Sequence, residues 1–246
     1  MRTLLKEDKG MSLIASAFLI IVLGFALLAG KKLFEIWERQ DQIQTTRMHL
    51  EKVEEALNDY LLVNGRYPCS APLNAPVDDP TGDFGVEDDC GPSRSPGPGT
   101  FRADGRDSIP VRTGAVPVRT LGIGDEFIAD GYGNRLLYAV TETYADRNNP
   151  PPTGDEGAIF VRDPNNNQAT RTDGNVVTLV YSMGPDDNGT YTLAGVRNEP
   201  CDPASLSGEN CDFDDNAVFL NTVYKSQNLD DPLQVSMTYK PSKIPQ

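Results

Sequence analysis

The sequence predicts an α+β fold: a long N-terminal helix, comprising a membrane span and an amphipathic stem, packed on a small antiparallel β-sheet head. Three observations carry that expectation. The run from Met11 to Gly30 holds no charged side chain. The stretch from Lys31 to Val63 contains neither proline nor glycine. Beyond it, short runs rich in β-branched and aromatic residues alternate with loops of Pro, Gly, Asn and Asp.

Met11 to Gly30 is twenty residues, about 30 Å of helix, the thickness of a bilayer's hydrocarbon core. A removed secretory signal has a shorter apolar region and ends in a small-x-small site. Here the end reads LLAGKK, which puts Leu28 where a small residue is needed, and no lipobox cysteine comes after it. Retention of the segment is the better reading. Arg2, Lys6 and Lys9 precede it and Lys31, Lys32 and Arg39 succeed it, so flanking charge does not orient it. Trp37, beside the two lysines, reads as an interfacial anchor.

The stem, residues 31–63, continues the helix. Leu50, Val53, Leu57, Tyr60 and Leu61 recur at three- and four-residue spacings, with Glu51, Lys52, Glu54, Glu55 and Asp59 between them. In NGRYP, Gly65 is the C-terminal breaker and Pro68 comes shortly after. Span and stem together make one helix of roughly 75–80 Å.

Composition then limits function. The chain has 246 residues and a formal net charge of −14 without basic clusters, which argues against nucleic acid as a partner. Four cysteines without C-x-x-C spacing and a single histidine argue against zinc. Two structural disulfides in an oxidising compartment fit better than four reduced thiols, and they put the C-terminal part outside the cytoplasm. Proximity favours Cys69–Cys90 and Cys201–Cys211, one of three connectivities.

In the head, residues 64–246, ADGYGN reads as a turn opening a strand from Arg135 to Val140. AIFVR, VVTLVY, TYTLAGV, AVFLNTVY and LQVSMTY read as further strands, and residues 91–107 and 148–157 as loops. Chemistry is scarce. His49 sits on the stem helix, where a nucleophile triad has nothing to build on. Asp78/Asp79 and Asp88/Asp89 lack the apolar walls that would raise one carboxyl, so they read as solvated loop charge. No Walker, Rossmann or hydrolase motif occurs, and Asn188-Gly-Thr190 is a short glycosylation match. The expectation is a protein that is not an enzyme. GPDDNG, residues 184–189, and DFDDN, residues 212–216, form an acidic constellation of the oxygen-rich kind that calcium selects; the bland alternative is a solvated turn.

A short charged leader ending in Gly10, an apolar helix running into an amphipathic stem, and a small head with paired cysteines resemble the type IV prepilins and pseudopilins. GRYPCSAP (65–72), VPVRTLGI (116–123), DGYGNRLLYAVT (130–141), YSMGPDDNGTY (181–191) and ENCDFDDNAVFL (209–220) resemble blocks of such heads. The resemblance implies removal of residues 1–10 by a prepilin peptidase cutting between Gly10 and Met11, with N-methylation of Met11. It implies residues 11–30 as span and filament core, the leader in the cytoplasm, the head in the periplasm, and the inner membrane, assembly machinery and other subunits as partners. It also implies calcium, a comparable loop of major pseudopilins being a calcium site; here the candidates are Asp186, Asp187, Asn188, Asp214 and Asp215. Two positions depart from the family. Met11 stands where Phe is usual, and Ala15 where a glutamate normally answers a neighbour's amino terminus. The missing carboxylate resembles a minor subunit at a filament tip of a type IV pilus or type II secretion pseudopilus. The competing expectation is a single-pass, membrane-anchored periplasmic binding or adhesion protein that never polymerises.

Overall fold

The computed structural model describes residues 8–91, 93–149, 157–162, 165, 167–168, 176–185, 189–198, 200–201, 208–211, 213, 216–220 and 234–238. It divides into two compact units, Met1–Gln42 and Ile43–Gln246. Helix α1 runs Asp8–Asn64, 57 residues without a break. No proline interrupts it, and Gly24 and Gly30 leave the backbone hydrogen bonding intact.

The C-terminal part of α1 belongs to the second unit. Thr46, Leu50, Val53, Leu57 and Leu61, four, three, four and four residues apart, are all buried, while Glu51, Glu55 and Asp59 are exposed. That spacing keeps one stripe turned to the core. The helix ends because Gly65 adopts φ 69° and returns its amide to Leu61 O at 2.8 Å, a conformation that a side chain would strain. Cys69 then bonds to Cys90, fastening the intervening residues beside the core.

Five strands form the main sheet in the order β1-β2-β3-β5-β7, every pairing antiparallel. They are β1 (Phe101–Asp104), β2 (Pro110–Ala115), β3 (Leu137–Thr141), β5 (Thr178–Ser182) and β7 (Gln234–Thr238). β3 and β5 are buried along their whole length, as central strands of LYAVT and TLVYS composition should be. β4 (Phe160–Arg162) and β6 (Val218–Leu220) pair in parallel as a separate ribbon. Helix α2 (Val118–Leu121) is a single turn stopped by Gly122 at φ 70°, and α3 (Gly208–Cys211) carries the second disulfide, Cys201–Cys211.

Two expectations are corrected. The first is the loop over 91–107, which contains β1. Phe101–Asp104 is too short to stand out among glycines and prolines, and it forms because Phe101 faces Thr113 and Asp104 faces Pro110 across the hairpin. The second is the strand over TYTLAGV, which is a turn. Thr192 N donates to Val196 O and Gly195 N to Thr192 O, and Gly195 at φ 74° lies against Asn74 O. A β-carbon there would sit 2.3 Å from that oxygen, so the glycine, not the flanking Tyr191 and Leu193, decides the backbone.

Candidate functional site

Gly10 and Met11 lie in the first turns of α1, and the helix passes through both without a break. The side chains of residues 16–25 and 30–41 are exposed throughout. From Ser16 onward the helix is long and apolar enough to cross a membrane. Phe18, Ile20 and Phe25 are 68%, 69% and 69% exposed. So dense an apolar surface is stable only against another apolar phase.

In the second unit, Asp78 is exposed, while the other described side chains that the sequence offers as reactive are engaged structurally. His49 Nδ1 donates to Ala129 O at 2.6 Å, and its ring meets Phe127 edge-on at 5.1 Å. One turn earlier Thr46 Oγ1 accepts from Gly131 N at 2.9 Å. Both polar groups thus dock α1 on the segment 129–131. Asp88 Oδ2 accepts from Gly97 N, Thr100 Oγ1 and Arg112 Nη1 at 2.9, 2.8 and 3.0 Å. Asp89 pairs with Arg94 at 3.3 Å, an exposed contact. Asp79 accepts from the Thr81 hydroxyl and amide, which hold its carboxyl below the usual range, the wrong direction for a general acid.

Three buried charge centres that sequence reasoning missed organise the loops. Arg112 and Glu142 are both fully buried, and Arg112 Nε donates to Glu142 Oε1 at 2.8 Å. Arg102, directly across from Arg112 in the β1–β2 pair, reaches the other Glu142 oxygen at 3.3 Å. One carboxylate therefore reconciles two like charges on neighbouring strands. Burial still pushes the Glu142 carboxyl up, with the two guanidinium groups offsetting part of that rise.

Glu87 is the second centre. It accepts both Arg66 Nη groups at 2.8 and 2.9 Å, the Cys69 amide at 2.9 Å and the Tyr60 hydroxyl at 3.1 Å, and it pairs with Arg147 at 2.9 Å. Burial raises this carboxyl, but Arg66, the Cys69 amide and Arg147 outweigh it and hold it below the usual range.

Arg135 is the third. Its guanidinium donates to Thr192 O, Pro72 O, Ala75 O and Leu193 O. It lies 5.1 Å from the centre of the Phe84 ring, whose other contact of this kind is Arg119 at 4.8 Å. Burial pulls its pKa down to about 10. No local pattern announces any of the three, because the partners lie tens of residues apart: 30 for Arg112–Glu142 and 57 to 63 for Arg135.

Asp186, Asp187, Asn188, Asp214 and Asp215, the calcium candidates, lie outside the described residues. Their described flanks are close together: a β-carbon on Gly189 would come within 2.5 Å of Cys211 Cβ, and Tyr181 Oη donates to Asn210 O at 3.1 Å. Arg197 donates to Cys211 O at 3.0 Å and lies 5.5 Å from the Phe213 ring, so a cation already stands there. Among the described residues, no group of three or more His, Cys, Asp or Glu is placed to hold a metal ion. Of the glycosylation match, Asn188 lies outside the described residues, and Thr190 is buried with its hydroxyl 3.3 Å from Asn134 Oδ1.

No protein family, curated protein or solved structure matches the chain. The class that can be stated is one of fold alone. It is a long N-terminal apolar helix followed by a small α+β domain with two disulfides.

Proposed function

We propose that the chain is a non-enzymatic subunit, a minor pilin or pseudopilin, of a type IV pilus or type II secretion pseudopilus. In this reading a prepilin peptidase cuts between Gly10 and Met11, Met11 is methylated, and the head faces the periplasm from an inner-membrane anchor. The observation that carries the reading is the junction itself. A charged decapeptide ends in Gly10, and a charge-free run begins at Met11 inside a helix that continues to Asn64. Mass spectrometry of the mature chain tests it: a methylated amino terminus at Met11 is expected. An intact leader, or a cut near Gly30, would sink it.

Ala15 favours a tip or initiating position within such a filament. An ammonium brought into an apolar helix bundle without a carboxylate partner costs several kcal/mol, so a shaft of this subunit alone packs poorly. Labelling along the whole shaft would contradict that placement. The same Ala15 favours the second reading, a membrane-anchored periplasmic binding or adhesion protein that never polymerises, and retention of residues 1–10 selects it. For calcium, the proposed ligands are Asp186, Asp187 and Asn188 with Asp214 or Asp215. Calcium failing to raise the melting temperature over a chelator control removes that part.

A further inference from the structure

The exposed apolar surface of α1 does not stop where the charge-free run stops. Past Gly30, Leu33, Phe34, Ile36 and Trp37 are 68%, 61%, 55% and 62% exposed, and the Phe34 and Trp37 rings touch at 6.2 Å. At about 100° per residue these four fall on one side of the helix, within an arc of roughly 160°. Lys31, Lys32, Glu35, Glu38 and Arg39 occupy the opposite side, with Lys31 and Glu35 paired at 3.7 Å. A helix inside hydrocarbon is apolar all round, and one in water has no use for four exposed large apolar side chains on a single face. A helix half apolar and half charged matches the layer between them, where rings and aliphatic chains meet the acyl boundary while ammonium groups reach phosphate.

Length agrees. With Met11–Gly30 filling the roughly 30 Å hydrocarbon core, Leu33 and Phe34 rise about 4–6 Å past it, inside a headgroup layer of about 5–7 Å, and Ile36 and Trp37 rise about 9–10 Å, to its outer edge. We propose that Leu33, Phe34, Ile36 and Trp37 form a belt seated in the phospholipid headgroup layer, fixing how deep the anchor sits. The proposal rests on the membrane anchor of the proposed function and not on polymerisation.

Trp37 is the only tryptophan, so its fluorescence reports on the belt alone. The full chain is reconstituted into vesicles of phosphatidylethanolamine and phosphatidylglycerol, and flotation is measured separately. The expected result is a chain that floats, with Trp37 quenched several-fold more by a spin label near the lipid headgroup than by one deep in the acyl chain. Aqueous iodide should quench it several-fold less than free tryptophan. Full iodide access would place the face in water. Stronger quenching by the deep label would place it in the core. Shielding from iodide and both lipid labels would mean a protein cover such as a second copy of the helix. Each of these in a floating chain overturns the belt and leaves the anchor standing, whereas a chain that does not float overturns both.

Discussion

Arg112 and Arg135 are both buried guanidinium groups in the head, yet they are held in opposite ways. Arg112 meets two carboxylates, Glu142 and Asp88, and one carbonyl, Arg94 O. Arg135 meets four carbonyls and an aromatic face and, among the described residues, no carboxylate. Arg112 joins the end of the first disulfide loop to the sheet through charge. Arg135 gathers 72–75 and 192–193 through dipoles, and its lowered pKa records the cost of a cation buried without a counter-charge. The comparison teaches that equal burial does not mean equal dependence. What matters is what each guanidinium leaves behind when it is removed.

Arg112→Met should show the largest effect. It leaves Glu142 at 0% side-chain exposure with only the 3.3 Å contact to Arg102, and breaking a buried pair on one side costs about 3–5 kcal/mol. Urea unfolding measures it. Adding Glu142→Leu to Arg112→Met should recover a large part, because removing both charges is far cheaper than removing one. No recovery in the double variant would break the argument from charge. Arg135→Met should cost less: Thr192 O and Leu193 O keep a backbone donor, Gly195 N and Val77 N, the remaining carbonyls are neutral and cost about 1–3 kcal/mol each, and a lone buried charge disappears with the side chain. A loss equal to that of Arg112→Met would erase the distinction between the two sites.

The helix was the most legible part of the chain. Its buried stripe at Leu50, Val53, Leu57 and Leu61 and its stop at Gly65 arise from local periodicity and from one residue's permitted φ. Strands Leu137–Thr141 and Thr178–Ser182 were legible too, because unbroken apolar β-branched runs have few other places to go. Phe101–Asp104 was not, since four residues acquire strand character only from the partner strand beside them. TYTLAGV failed the other way: its composition says strand, and a close approach to Asn74 by Gly195 overrules it. Of the candidate site, the proposed Gly10–Met11 junction rests on the sequence alone. The arginine centres are long-range facts of packing, invisible until the chain is folded.

Glu87 offers the smallest and most selective probe, because it extends the comparison to a buried carboxylate that has its cations. Its carboxyl is held below the usual range, so its stabilisation is fully present above the unfolded glutamate value of about 4.3 and is lost as pH falls through the lower folded value. Glu142 and Asp130 run the other way. Burial raises both, and Asp130 keeps hydrogen bonds from Ser182 Oγ at 2.6 Å and from two turn amides at 2.9 Å. For a raised carboxyl the folded state prefers the proton, so its contribution improves on acidification and is lost as pH rises through the folded value. On acidification toward about pH 4.3 Glu142 and Asp130 should therefore add stability while Glu87 still contributes in full, and below that value the loss from Glu87 should take over. Glu87→Gln keeps the shape and accepts hydrogen bonds through one oxygen only, so it should lower stability at neutral pH by about 1–3 kcal/mol and make the acid limb shallower. Chemical unfolding at a series of pH values separates the two consequences. An unchanged acid limb in Glu87→Gln would mean that the Arg66–Glu87 pair is screened by solvent despite its 7% exposure, and that only the sites walled in by the sheet behave as buried charge.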